Sequence, residues 1–138
     1  PVIAAIEGLQ LGMSICYDLR FPHLYRQLAL DGAQILAVPA AFTTVSGAAH
    51  WHILLRARAI ETGCYVIAPA QCGTHSDGRQ TYGHAMIISP WGEILCEADD
   101  GDAVITAQLD IAKITAARRA IPSLNSNAII GATRSSGG

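Results

Sequence analysis

The sequence predicts an α/β fold built on parallel strand–helix–strand units, and three observations carry that reading. An apolar stretch ends at Cys16 in a polar turn and Pro22. After that point Leu24, Tyr25, Leu28 and Ala29 recur at three- and four-residue spacing, the period of a helix packed on one side. The runs 33–38 and 64–70, apolar apart from Gln34, then read as strands buried on both faces of a parallel sheet.

In chain order, residues 2–6 and 9–16 are apolar segments around Glu7-Gly8, a turn signal, and predict a hairpin. Pro22 suits the first helical position, where its missing N–H costs nothing, and Asp31-Gly32 ends that helix near Leu30. Residues 39–47 form a loop at the carboxyl end of the 33–38 strand, on the same sheet edge as Cys16. A second helix is expected over 48–62, carrying Trp51, Leu54, Leu55 and Ile60 towards a partner, with Gly63 as its cap. Residues 71–81 are polar and turn-rich and read as a surface loop. Residues 82–89, 93–97 and 103–109 read as an antiparallel meander separated by Pro90-Trp91-Gly92 and residues 98–102. Asp110 is a helix cap for 111–120, Pro122 stops that helix, and from Asn125 onward the chain is expected to be a flexible tail.

At 138 residues, with 51% hydrophobic and 14% charged residues, the chain has one domain's worth of core. A net charge of −2 and the absence of a basic patch argue against nucleic-acid binding. No apolar run approaches the roughly 20 residues of a membrane helix, so no membrane partner is expected. The four cysteines form no CxxC pair. Cys64 and Cys96, in apolar strand patterns, read as buried free thiols, which points to a reducing, cytoplasmic setting. The chain starts at Pro1 and enters directly into a strand, which reads as part of a longer protein.

Cys16 is the principal chemical candidate. It lies on a strand-to-helix turn at the carboxyl end of a strand, where open α/β sheets place their chemistry. That is the layout of a nucleophile elbow with a thiol in place of a hydroxyl. The backbone N–H of Tyr17 is free to face an oxyanion. A buried, inert thiol is the competing reading. Arg20 is expected to pair with Asp18, and Arg58 with Glu61 as an i,i+3 ion pair. His50 and His52, two apart on a helix, point in different directions. Cys72 and His75 lack a second ligand pair, so no metal is expected. Phosphate loops of the GxGxxG or GxxxxGK[ST] kind are absent from the sequence, and no cofactor is expected.

The stretch 12–22, Gly-Met-Ser-Ile-Cys-Tyr-Asp-Leu-Arg-Phe-Pro, closely resembles the catalytic cysteine block of the nitrilase (carbon–nitrogen hydrolase) superfamily. The resemblance continues through Gly32-Ala33, Pro39-Ala-Ala-Phe-Thr43, His50-Trp51, Leu55-Arg-Ala-Arg-Ala-Ile-Glu61, Gly83-His84, Pro90-Trp-Gly92 and 119–122. Its nearest branch is that of the Nit-type amidases, which act on ω-amides or deaminated glutathione. Ser89 and Ala85 depart from the aspartate and serine common at those places, which leaves the subfamily open. The resemblance implies part of a four-layer α-β-β-α sandwich, with residues 1–124 as the carboxyl-terminal half of a carbon–nitrogen hydrolase domain. It also implies a homo-oligomer, a dimer or higher, joined through the helices after Cys16 and around 51–61.

The implied reaction is hydrolysis of a small amide substrate through a cysteine thioester. Cys16 is the nucleophile and the Tyr17 N–H an oxyanion donor. Phe42 and Thr43, and also His84, are placed on the substrate pocket by position. The family's glutamate base and lysine precede the cysteine block by far more than the fifteen residues present here. Glu7 is too close to Cys16 to be that base, and Lys113, the only lysine, lies in the last helix. The expectation is therefore a segment carrying the nucleophile without its full triad. Two rivals stand beside it: a non-catalytic relative that binds or assembles through its helices, and a flavodoxin-like binding domain with an inert Cys16.

Overall fold

The computed structural model describes residues 1–99 and 101–126. Strands β1 (Val2–Ile6) and β2 (Leu9–Met13) form the expected antiparallel hairpin. Its two-residue turn takes positive φ at both Glu7 (47°) and Gly8 (84°), the geometry that matches the twist of paired strands. A 3-10 turn, Cys16–Arg20, leads into α1 (Pro22–Leu30), whose bounds fall where proline and Asp31-Gly32 place them. Then come β3 (Ile35–Ala37), α2 (Thr44–Thr62) and β4 (Tyr65–Ala68), with β2, β3 and β4 pairing in parallel.

α2 begins earlier than its apolar pattern indicates. Thr43 is its N-cap, with Oγ1 accepting from the N–H of Ser46, so half of the expected loop is helix. Trp51 and Leu55 are fully buried, whereas Ile60 stays half exposed.

The sheet continues through β7 (Met86–Ile88) and β8 (Ile94–Glu97), both antiparallel, giving the order β1-β2-β3-β4-β7-β8. Three expectations change here. Residues 71–81 hold a small separate hairpin, β5 (Cys72–Thr74) and β6 (Gln80–Tyr82). The anticipated strand 82–89 is split because Gly83 and His84 adopt positive φ (70° and 58°), which no strand accommodates. Residues 103–109 form no strand: no ladder partner flanks them among the described residues, and an alternating pattern cannot pair with itself. Cys96 is half-buried rather than buried, because β8 is the outermost strand.

Alternate residues of the sheet face two separate cores. Leu36, Val38, Val66, Ala68, Met86 and Ile88 pack with Tyr25, Leu28, Trp51 and Leu55 of α1 and α2. On the other face Ile35 and Tyr65 meet Ile114 of α3 (Ala112–Ala120). Asp110 supports the start of α3, its Oδ1 accepting from the N–H of Ala112 at 2.9 Å. This second face is only partly covered: Val2, Ile6 and Met13 stay about half exposed or more. The expected tail lies, from residue 127, outside the described residues.

Candidate active site

Cys16 opens the 3-10 turn with φ +46°. A non-glycine residue in that left-handed region costs of order 1–3 kcal/mol and persists only where its surroundings fix it. Here they do. The N–H of Cys16 donates to the carbonyl of Pro39 at 2.8 Å. The N–H of Ile15 donates to the Asp18 carboxylate at 2.9 Å. The N–H of Phe21 donates to the Asp18 carbonyl at 2.9 Å. The Tyr17 N–H makes no hydrogen bond among the described residues.

The parallel ladder runs on past the strands themselves. The N–H groups of Ser14, Val38 and Ala40 donate to Ala37, Ile67 and Pro69, and Ala40 bridges Ala70. The continuations of β2, β3 and β4 therefore lie side by side at one sheet edge. Residues 15–16, 39–41 and 69–71 line a cavity of about 470 Å³ between them, with Cys16, half-buried, in its wall. This is the carboxyl edge that the βαβ pattern singles out.

Arg20, although two residues from the Asp18 carboxylate that accepts from the Ile15 N–H, forms no ion pair with it. Its guanidinium instead lies 5.5 Å from the Tyr17 ring centroid and 5.1 Å from that of Phe42, and donates to His50 Nδ1 at 3.3 Å. The Arg58–Glu61 pair forms as expected, at 2.9 Å. His50 and His52 diverge as expected, His52 binding Glu97 at 2.7 Å.

The structure brings Cys16 and Tyr17 together but sets the other site candidates apart from that cavity. Phe42 is buried, its ring 5.0 Å from that of Trp51. Thr43 caps α2 and bridges Thr81. His84 stacks on Tyr82 at 4.0 Å, and its carbonyl accepts from Trp51 Nε1 at 2.8 Å. His84 lines a neighbouring cavity of about 430 Å³ with Cys72, His75, Asp99 and Asp102; the two cavities share Ala70 and Gln71. Gln71 is the polar side chain that sequence reading missed in the Cys16 cavity; its signal is its place directly after the apolar run 64–70. Among the described residues no three His, Cys, Asp or Glu side chains are grouped to hold a metal. No described helix is long and apolar enough to cross a membrane.

The family profile described as carbon–nitrogen hydrolase matches residues 1–119. The chain belongs to this family. It is 52% identical over 124 residues to the deaminated glutathione amidase of Synechocystis, covering 90% of this chain and 46% of that protein. Saccharomyces cerevisiae Nit3, of the nitrilase superfamily, superposes with a TM-score of 0.85 at 36% identity, covering 91% of this chain and 46% of Nit3. A mutant amidase from Nesterenkonia, its active-site cysteine carrying the acetamide moiety of fluoroacetamide, matches with a TM-score of 0.73. It is 32% identical, over 87% of this chain and 45% of that one. The chain thus spans less than half the length of the curated relatives it matches. Its mixed α/β architecture is that of nitrilase-superfamily structures.

Proposed function

We propose that the chain is the nucleophile-bearing half of a thiol amidohydrolase that converts small carboxamides to carboxylates and ammonia. The Cys16 thiolate attacks the amide carbon, and the C–N bond breaks as nitrogen leaves with a proton as ammonia. Water then cleaves the thioester and restores the thiol. The free N–H of Tyr17 stabilises the oxyanion. The glutamate base and the lysine are supplied by residues outside this chain. Phe42, Thr43 and His84 enter as pocket residues that act from behind, Phe42 through Arg20 and His84 beside the cavity that shares Gln71. The enzyme works as a homodimer or larger assembly in the reducing cytoplasm.

The observation that carries this reading is the left-handed Cys16 at the head of a braced turn, lining a cavity beside an unengaged N–H. The amidases among its relatives, one with its cysteine covalently modified, support it. The test is ammonia release from small ω-amides. The natural full-length protein is expected to turn over, and Cys16→Ser to lose on the order of 10⁴-fold in kcat. The 138-residue chain alone is expected to release no ammonia above background. Robust turnover by this chain alone, or by Cys16→Ser, overturns the reading. A non-catalytic assembly module draws on the partly covered second sheet face. Full-length protein without the family's glutamate and lysine, and inert towards amides, would establish that alternative.

A further inference from the structure

We propose that Arg58 is the positioning residue for Cys16: its buried guanidinium clamps the Leu19 carbonyl and thereby holds the turn that presents the thiol. This inference rests on the nucleophile reading above.

The argument starts from Pro22. In a 3-10 turn the carbonyl of Leu19 would be met by the N–H three residues on, and that residue is Pro22, which has none. The proline that starts α1 so cleanly therefore orphans a carbonyl on Leu19, a residue with no exposure at all. No backbone N–H donates to it among the described residues. A buried, unmatched carbonyl costs about 1–3 kcal/mol. Arg58, projecting from α2 and only 4% exposed, fills the vacancy with a fork: Nε donates to Leu19 O at 3.1 Å and Nη2 at 2.9 Å. Nη1 is taken by Glu61, and Cζ lies 5.6 Å from the centroid of the Tyr25 ring.

Burying a guanidinium is costly, and helix-to-turn packing alone would be met by an aliphatic side chain. What the guanidinium adds is a fixed, planar, two-bond grip on one backbone oxygen. That oxygen belongs to the fourth residue of the five-residue turn that Cys16 opens. The other side of the turn is braced separately. Ser14 Oγ donates to the Ala37 carbonyl at 2.9 Å and lies 2.7 Å from Tyr25 Oη, and the same Tyr25 ring faces Arg58. The left-handed Cys16 is thus held between two anchors, one on β3 and one on α2. Relaxation of the turn on loss of the fork would swing the sulfur away from its attack geometry, and misplacement by an ångström is worth about 10²-fold in rate.

The test uses the full-length protein with Arg58→Met and Arg58→Lys, and with Arg56→Met as a control. Arg56 donates to the Gly92 carbonyl and touches neither the turn nor the cavity. Two readouts separate positioning from mere stability: the kcat and KM of amide hydrolysis, and the iodoacetamide alkylation ratio of Cys16 to the half-buried Cys96. Arg58→Met is expected to lower kcat by roughly tenfold or more with little change in KM, and to shift the alkylation ratio. Arg58→Lys, which keeps the charge but not the fork, should fall between it and the wild type. Arg56→Met should match the wild type in both readouts. Folded Arg58 variants with wild-type kcat and alkylation ratio overturn the inference, even if they melt earlier. Should Arg58→Met fail to fold, Arg58→Lys decides on the same criteria. Hydrolysis that survives Cys16→Ser overturns the nucleophile reading itself, a result distinct from an inactive Cys16→Ser beside wild-type-like Arg58 variants.

Discussion

Replacing Tyr25 by phenylalanine should reverse its effect on stability as pH rises. Tyr25 is fully buried. Ser14 spends its single hydroxyl proton on the Ala37 carbonyl, so the 2.7 Å contact is a bond donated by the tyrosine. Burial pushes its hydroxyl up to about 12, opposed only in part by Arg58 and by Ser14, whose hydroxyl must turn from Ala37 to donate to the ionised oxygen. Near neutral pH Tyr25→Phe removes one buried hydrogen bond and should cost about 1 kcal/mol. In alkali the sign changes. The folded pKa lies above the ordinary tyrosine value, so the unfolded chain ionises first. The wild type therefore keeps this contribution below about pH 10 and loses it as pH rises towards 12. Linkage across that gap amounts to about 1.4 kcal/mol at pH 11 and about 2 kcal/mol at pH 11.5. The stability curves of wild type and variant should thus cross a little below pH 11. Cys64, its thiol also pushed up by burial, has the same sign but is common to both proteins and cancels. Urea titrations at half-unit steps from pH 8 to 11.5 measure the difference. Parallel curves would refute the buried-donor assignment and weaken the anchor it forms beneath Cys16.

Two further outcomes follow from packing and charge. Gly47→Ala would place a Cβ 2.3 Å from the Cβ and Cγ of Tyr82, so α2 and β6 must part. A loss of about 1–3 kcal/mol is expected by thermal denaturation, although alanine is the better helix former. Glu97→Gln removes the charge from the 2.7 Å contact with His52 and leaves an acceptor oxygen; both side chains are 31% exposed, so the same assay should show less than about 1 kcal/mol.

The scaffold was legible in the sequence wherever the signal was local. Pro22 and Asp31-Gly32 bound α1 to the residue, because each acts through its own backbone. The near-continuous apolar runs mark β3 and β4, since a strand covered on both faces needs no polar alternation. The thiol elbow was legible because hydrophobic period changes at Cys16. Where a residue's role is set by a distant partner, the sequence misleads. Gly47 reads as a loop residue, yet it lies inside α2, where the close approach of Tyr82 leaves no room for a side chain. Residues 103–109 alternate like a strand, but pairing is a property of two segments. Arg58 reads as half of an ion pair, and that pair exists; its more consequential bond runs 39 positions back to a backbone oxygen that no spacing rule identifies.

These two kinds of contact divide the site's support from its chemistry. Everything that fixes the Cys16 turn among the described residues comes from this chain: Pro39 and Ala37 beside it, Asp18 within it, and Tyr25 and Arg58 beneath it on the helix-covered face of the sheet. That face is a closed core, with Leu36, Val66 and Met86 at zero exposure. The opposite face carries Val2, Ile6 and Met13 with little over them, and large apolar faces of this kind ordinarily lie against another layer. A second layer packed there would leave the braced turn undisturbed while bringing new side chains to the sheet's open side. Under the proposed function that is how base and lysine reach the thiol: the half that holds the nucleophile is rigid by its own bonds, and the half that activates it docks as a separate layer.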